Sequence, residues 1–352
     1  MTGPNRAEYD ADDPLDSLLS AGVVAEVYPG AVAAVGSSDG VDRLLAVGEV
    51  DPERGAAATP NTVFDAASLT KPVVTATVVL SLVERGVLAM ADPIGAYVPA
   101  LDGRERGEIP LDAFLTHTSG LRPYAFSEAW ETPDEAFADL YSRDLLEAPP
   151  GERVEYSCLN YVHLADVASR ATGRPFPELA RDLVFDPAGM TDSRVGSPPA
   201  DVGSVAPTFD REYRNRTLRG EIHDPIAWKL AGASGNAGLF TTATDLARFA
   251  RALLDGGGVL SAGTVAALST DRTPELDEPR GLGWKLVRGG SAPLGWSTDA
   301  VGHTGYTGTS LWIDLARDRF GVLLTNEVYH GKNGGIVDVR RRFRAIVASG
   351  RY

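Results

Sequence analysis

The 352-residue sequence has one cysteine, Cys158, so it holds no internal disulfide and no thiolate zinc cluster, as suits a reducing compartment. Positive charge is scarce too: 33 Lys and Arg stand against 48 Asp and Glu, a net charge of -15. That balance excludes a surface built to grip nucleic-acid phosphates or an anionic membrane, so neither is expected as a partner. Long apolar runs are missing, since the best of them, residues 73–83, is about half the roughly 20 residues needed to span a bilayer. The opening MTGPNRAEYDADDPLDS carries acids and proline where an export signal places basic residues and an apolar stretch, which leads us to expect a cytoplasmic location. Phosphate-loop and dinucleotide glycine patterns are missing, and the five histidines never reach H-E-x-x-H spacing. No cofactor and no metal is therefore expected. Gly232 to Asn236 also fails as a nucleophile elbow, because Asn236 stands where the second Gly belongs.

What is present is an ordinary folded composition, 43% hydrophobic and 8% aromatic, over a length that suits one large domain or two intertwined ones. Residues 1–13 read as a flexible leader. Two β-like runs, 31–36 and 44–50, flank the turn-forming Ser37 to Gly40 and predict a hairpin. A long apolar stretch with Pro72 near its start predicts a buried helix over 68–85. Helical patterns follow at 111–116, 133–146, 161–172 and 176–185. Strand patterns return in GWKLVRG (283–289), TSLWID (309–314) and FGVLLTN (320–326), before a closing helix at 336–349. Strands, helices and strands in that order imply a sheet built from both chain ends, 14–85 and 236–352, with a mainly helical region, 86–235, between them.

Only 4 of the basic residues are Lys, and one of them, Lys71, precedes the apolar run of the predicted helix. Residues three apart share a helix face, so Lys71 can reach the hydroxyl of Ser68 in Ser68-Leu69-Thr70-Lys71. A serine hydroxyl attacks only once a base removes its proton, and an amine whose charge is opposed by burial can be that base. The pattern alone is cheap, but a buried lysine without a task is expensive. Tyr156, just before a predicted helix, has a phenol able to relay a proton, although locally it fits a core aromatic better. Gly302-His303-Thr304-Gly305-Tyr306 offers close backbone approach to a ligand, and a histidine there is as readily structural.

In this order and spacing the chain resembles the serine β-lactamase and penicillin-binding protein superfamily, in particular its class C β-lactamase-like serine hydrolases. The match also includes Phe64-Asp65-Ala66-Ala67, Leu115-Thr116-His117-Thr118-Ser119-Gly120-Leu121, Gly238 to Thr242, Asp245 to Phe249 and Gly281-Leu282-Gly283-Trp284. The resemblance implies an α+β fold, an antiparallel sheet flanked by helices with an all-helical insertion (β-lactamase/transpeptidase-like), and an active site in the crevice between the two regions. It implies Ser68 as acylated nucleophile, Lys71 as its activating amine and Tyr156 as general base or acid. The backbone N–H groups of Ser68 and Tyr306 would form the oxyanion hole, and His303, Thr304 and Gly305 the substrate strand.

Two departures bear on the substrate. Cys158 stands where relatives place an amide-binding Asn, and a thiol cannot mimic both ends of an amide. Asn160 is the nearest amide that might replace it. His303 stands where they place a Lys, and a mostly neutral imidazole weakens carboxylate recognition. The expectation is therefore an acyl-enzyme serine hydrolase of the carboxylesterase or small-amide type, acting on a small-molecule ester, amide or lactam. The alternatives are a β-lactamase, a D-aminopeptidase or D-Ala-D-Ala carboxypeptidase, and a catalytically silent module that binds peptidoglycan fragments. Almost none of the charge of -15 lies in the motif segments, which assigns it to the surface.

Overall fold

Strand β1 (Gly30–Ser37) is buried on both faces, which is why GAVAAVGS shows no polar alternation. Ala31, Ala33 and Val35 face one apolar cluster with Leu15, Leu19, Trp312 and Phe343, while Val32 and Ala34 face the main core. The computed structural model of the chain describes residues 13–198, 204–256, 258–287 and 295–352. Within them β1 turns at Ser38 and Asp39 into β2 (Gly40–Asp51), the expected hairpin, and β2 leads to the short β3 (Ala56–Ala57). The sheet is completed from the far end of the chain by β4 (Lys285–Leu286), β5 (Ala300–Thr304), β6 (Ser310–Asp314) and β7 (Arg319–Thr325). All neighbours are antiparallel, and β1 pairs with β7 with Ala31 opposite Thr325, so both chain ends meet in mid-sheet. β6, β5 and β4 follow outward from β7.

Helices α1 (Pro14–Val24), α2 (Ala67–Glu84), α3 (Cys158–Thr172), α4 (Ala243–Leu254) and α5 (Gly335–Ser349) frame this sheet and its cleft. Asp13 belongs to α1 rather than to a leader: its carboxylate caps the N–H groups of Leu15 and Asp16 and pairs with Arg43 at 2.7 Å. Residues 1–12 of the expected leader, and 288–289 of the GWKLVRG run, lie outside the described residues. The helix expected at 133–146 stops at Ser142 because Arg143 turns extended (ψ 152). That expected at 161–172 begins one turn earlier, at Cys158, and ends on left-handed Gly173. The stretch 86–235 also carries short strands at Arg194–Val195, Thr208–Asp210 and Arg216–Leu218. α2 has the length and mean hydropathy (1.3) of a membrane-crossing helix, yet 83% of it is buried inside this fold, and it serves as the central core helix.

Candidate active site

The N-terminus of α2 is held by backbone anchors before any chemistry is considered. Asp65, fully buried, accepts the N–H groups of Ala67 and His223, each at 2.8 Å. Ala67 is bent into the left-handed region (φ 48), which aims the next residue, Ser68, out of the helix and toward the cleft. Thr70 locks the turn, donating to the Ala67 carbonyl at 2.6 Å and accepting the Leu239 N–H at 3.0 Å. From the other side Thr307 and Thr309 donate to the carbonyls of Asp65 and Ala66 at 2.7 and 3.0 Å. Gly305 lies so close that a Cβ there would stand 2.5 Å from the Ala66 carbonyl oxygen. The turn at 305–309 and the turn at 65–68 are thus clamped together.

Lys71, at the start of a π-helical segment of α2 (Lys71–Ala76), is fully buried beneath Ser68. Its Nζ contacts Ser68 Oγ at 3.1 Å, the Asn236 carbonyl at 2.8 Å and Cys158 Sγ at 3.5 Å. These three contacts use its whole donor capacity. Tyr156 meets Lys71 through its ring, whose centroid is 5.0 Å from Nζ, and its phenol interacts with both the Lys71 amine and the Ser68 hydroxyl. Burial opposes charge on Lys71, while anionic Cys158 and Tyr156 beside it carry its pKa up to about 12. Burial in turn raises both the thiol and the phenol toward their neutral forms. The three groups titrate as one cluster, and with Cys158 and Tyr156 neutral near pH 7 the burial of Lys71 favours its free amine.

Ser68 opens onto two recesses. The larger, about 710 Å³, is lined by Tyr156, Cys158 and a mixed wall including Tyr124, Phe209, Tyr213, Tyr306 and Asp224. The smaller, about 380 Å³, runs along the strand side past His303, Thr304, Gly305 and Tyr306 and includes Lys285, Glu327, Lys332 and Arg340. His303 is buried, with Nδ1 2.9 Å from the Thr304 carbonyl, and burial together with Lys71 holds it well below the ordinary histidine range. Burial thus favours its neutral form. Among the described residues no group of His, Cys, Asp and Glu is arranged to hold a metal.

Ser68, Lys71, Tyr156, Cys158, His303, Thr304, Gly305 and Tyr306 thus converge. Asn160 does not: it is fully buried beneath the site, accepting from Ser119 at 2.5 Å and lying 3.2 Å from His117 Nδ1, so it does not replace the missing amide. Sequence reading missed the Asn236 carbonyl that holds Lys71, and it missed Lys285 and Lys332. The signal was available in the scarcity of lysine, because three of the four lysines gather at this cleft. It also missed Asp210 and Glu212, acids outside the motifs that the fold brings, with Asp224, to the larger recess.

The Beta-lactamase family model matches residues 15–345. A protein of Escherichia coli (strain K12), whose name carries a provisional D-alanyl-D-alanine carboxypeptidase assignment, is 28% identical over 321 residues, 80% of this chain and 72% of its own length. The octameric penicillin-binding protein homologue of Pyrococcus abyssi superposes with a TM-score of 0.77 at 22% identity, over 96% of this chain and 77% of its own. EstCE1, a hydrolase with promiscuous acyltransferase activity, superposes with a TM-score of 0.78 at 19% identity, over 94% and 97%.

Proposed function

The chain belongs to the Beta-lactamase family of serine hydrolases, and we propose that it cleaves carboxylic esters and small amides through an acyl-enzyme on Ser68. One observation carries the reading: the fully buried Lys71 amine lies 3.1 Å from a serine hydroxyl that opens onto a 710 Å³ recess. As a free amine, Lys71 keeps two N–H bonds, to the Asn236 carbonyl and to Cys158, and turns its lone pair on Ser68 Oγ.

Ser68 Oγ attacks the substrate carbonyl carbon as its proton passes to the Lys71–Tyr156 pair. The carbonyl oxygen becomes an oxyanion facing the backbone N–H groups of Ser68 and Tyr306. When the bond to the leaving group breaks, the pair returns the proton to the departing oxygen or nitrogen. Water then repeats the sequence on the acyl-enzyme, its proton going to the pair and then to Ser68 Oγ, and the carboxylic acid leaves. Positioned base help of this kind is worth about 10²–10⁴ in rate. Esters suit the site better than β-lactams because Cys158 is engaged by Lys71 and presents no amide to the substrate.

A second reading, a carboxypeptidase, is favoured by Lys285, which lines the strand-side recess where neutral His303 supplies no cation. The test is a panel of p-nitrophenyl esters, D-amino-acid amides, D-Ala-D-Ala peptides and β-lactams against wild type, Ser68→Ala and Lys285→Met. An ester burst and fluorophosphonate labelling, both lost in Ser68→Ala, are expected. Turnover retained in Ser68→Ala overturns the mechanism. Peptide activity that exceeds ester activity and collapses in Lys285→Met selects the second reading.

A further inference from the structure

Tyr156 has to keep its phenol on the Ser68–Lys71 pair, yet it lies just before α3, between a loop and a helix start. Its own ring is bordered by Lys71, His303 and Arg280 at 5.0, 5.9 and 5.8 Å, contacts that fill space without fixing the backbone. After Tyr156 the Ser157 hydroxyl and the Cys158 N–H donate to the carbonyls of Arg122 and Pro123 at 2.7 and 2.9 Å, and one residue of the motif at 115–121 holds the backbone on both sides. The carbonyl of His117 accepts the N–H of Glu155 at 2.9 Å, and its Nδ1 accepts the N–H of Ser157 at 3.1 Å. His117 therefore holds the residue on either side of Tyr156. Its imidazole also lies against the phenol ring, with centroids 4.7 Å apart.

His117 is built for that duty. It is 2% exposed and follows the helix Leu111–Leu115 in the left-handed conformation (φ 61), which lets carbonyl and ring reach the same loop. Accepting at Nδ1 places the ring proton on Nε2, and burial with Arg280 and Lys71 nearby holds the imidazole neutral. Asn160 of α3 adds its amide to Nδ1 at 3.2 Å and is itself held by Ser119 of the same motif, which fixes the acceptor. His117 lines neither recess and touches no reacting atom.

We infer that His117 is a positioning residue for Tyr156, clamping the backbone on both sides of the phenol and so setting its distance to Ser68 and Lys71. The inference rests on the reading of Tyr156 as proton carrier. Without the acceptor the Ser157 N–H is buried unpaired, the Tyr156 segment shifts, and displacements near 1 Å lower rates by about 10².

The test compares His117→Leu, which removes the acceptor, with His117→Asn, which keeps an acceptor at the δ position and tolerates positive φ. Each is made in wild type and in Tyr156→Phe, with ester kcat taken per site titrated by the burst, so that misfolded protein does not count. In wild type, His117→Leu is expected to lower kcat on the order of 10- to 100-fold with KM within about threefold, and His117→Asn to recover most of it. In Tyr156→Phe, His117→Leu is expected to change kcat less than about twofold, because the group it positions is gone. An equal loss in both backgrounds, or a loss confined to the number of titrated sites, overturns the inference while leaving the role of Tyr156 intact. Wild-type kcat in Tyr156→Phe overturns the role of Tyr156 and the inference with it.

Discussion

Replacing Lys71 by Met separates a lysine kept for catalysis from one kept for structure. Methionine fills nearly the same stem but brings no charge and no donor. Burying a polar amine costs about 1–3 kcal/mol before its bonds are counted. Its bond to the Asn236 carbonyl at 2.8 Å returns about 0.5–1.5 kcal/mol, and the contacts to Ser68 and Cys158 at 3.1 and 3.5 Å return less. In the variant the Asn236 carbonyl is left without this partner, at a cost of about 1–3 kcal/mol, while the cost of burying the amine disappears. The two changes oppose each other, so stability should move by no more than about 2 kcal/mol, or roughly 3 °C in Tm for a chain of this length. Catalysis has no such compensation, because the amine of the Lys71–Tyr156 pair, 3.1 Å from Ser68 Oγ, is gone. The ester burst should slow on the order of 10²–10⁴, equivalent to about 2.7–5.4 kcal/mol of barrier. Thermal melting by circular dichroism and a stopped-flow p-nitrophenyl ester burst read the two quantities on one preparation. A folded variant with a wild-type burst would refute Lys71 as base. A Tm lowered by more than about 8 °C would show that Lys71 holds the fold together, which the opposing magnitudes above exclude.

Two further outcomes follow from the same contacts. In Cys158→Ala the thiol whose ionisation is coupled to Lys71 and raises it is removed while the burial that lowers Lys71 stays, so the alkaline-rising limb of the kcat/KM profile should move to lower pH. Titration of ester hydrolysis from pH 6 to 10, as roughly the span of unperturbed His to Tyr, checks this, and an unmoved or upward-shifted limb contradicts the coupling. In Gly305→Ala the new Cβ meets the Ala66 carbonyl oxygen at 2.5 Å and Thr309 Oγ1 at 2.1 Å. The turn has to open, and a stability loss of about 1–3 kcal/mol together with a lower kcat is expected. A melt and a turnover rate equal to wild type would show that the clamp between Gly305 and Ser68 is not needed.

The fold was legible where local pattern and tertiary role agree. β1, β6 and β7 are continuous apolar runs because both faces are covered, and α2 announced itself by length, Pro72 and an apolar run too long for a strand. β5 was hidden from local pattern and was reached only through the resemblance, since AVGHT holds a glycine against Trp312 and a buried histidine, neither a strand former by propensity. The site was legible where its residues share one helical turn, as Ser68 and Lys71 do. It was not legible where partners come from distant segments: the Asn236 carbonyl lies 165 residues from Lys71, and no periodicity connects a backbone oxygen to an amine across that distance. Asn160 misled for the complementary reason. Two positions beyond Cys158 on α3, it faces Ser119 and His117 and not the cleft.

Two of the six non-glycine residues with positive φ among the described residues flank the cleft. Both Ala67 and His117 hold positive φ without being glycine, at 48° and 61°, and each adjoins a group proposed to act. Such conformations cost on the order of 1–3 kcal/mol each and persist only when the surroundings over-determine them. At Ala67 the surroundings are Asp65, Thr70 and the two threonines of the substrate-strand turn. At His117 they are the carbonyl bond to Glu155, the ring bond to Ser157 and the amide of Asn160. The first bend presents the nucleophile and the second presents the phenol, from opposite walls of one cleft. Relaxing either bend would move Ser68 or Tyr156 independently of the other, while the buried Lys71 stays fixed by Asn236 between them. The relative placement of Ser68, Lys71 and Tyr156 is therefore set by two strained loops referenced to one buried amine, and the lysine is their common datum.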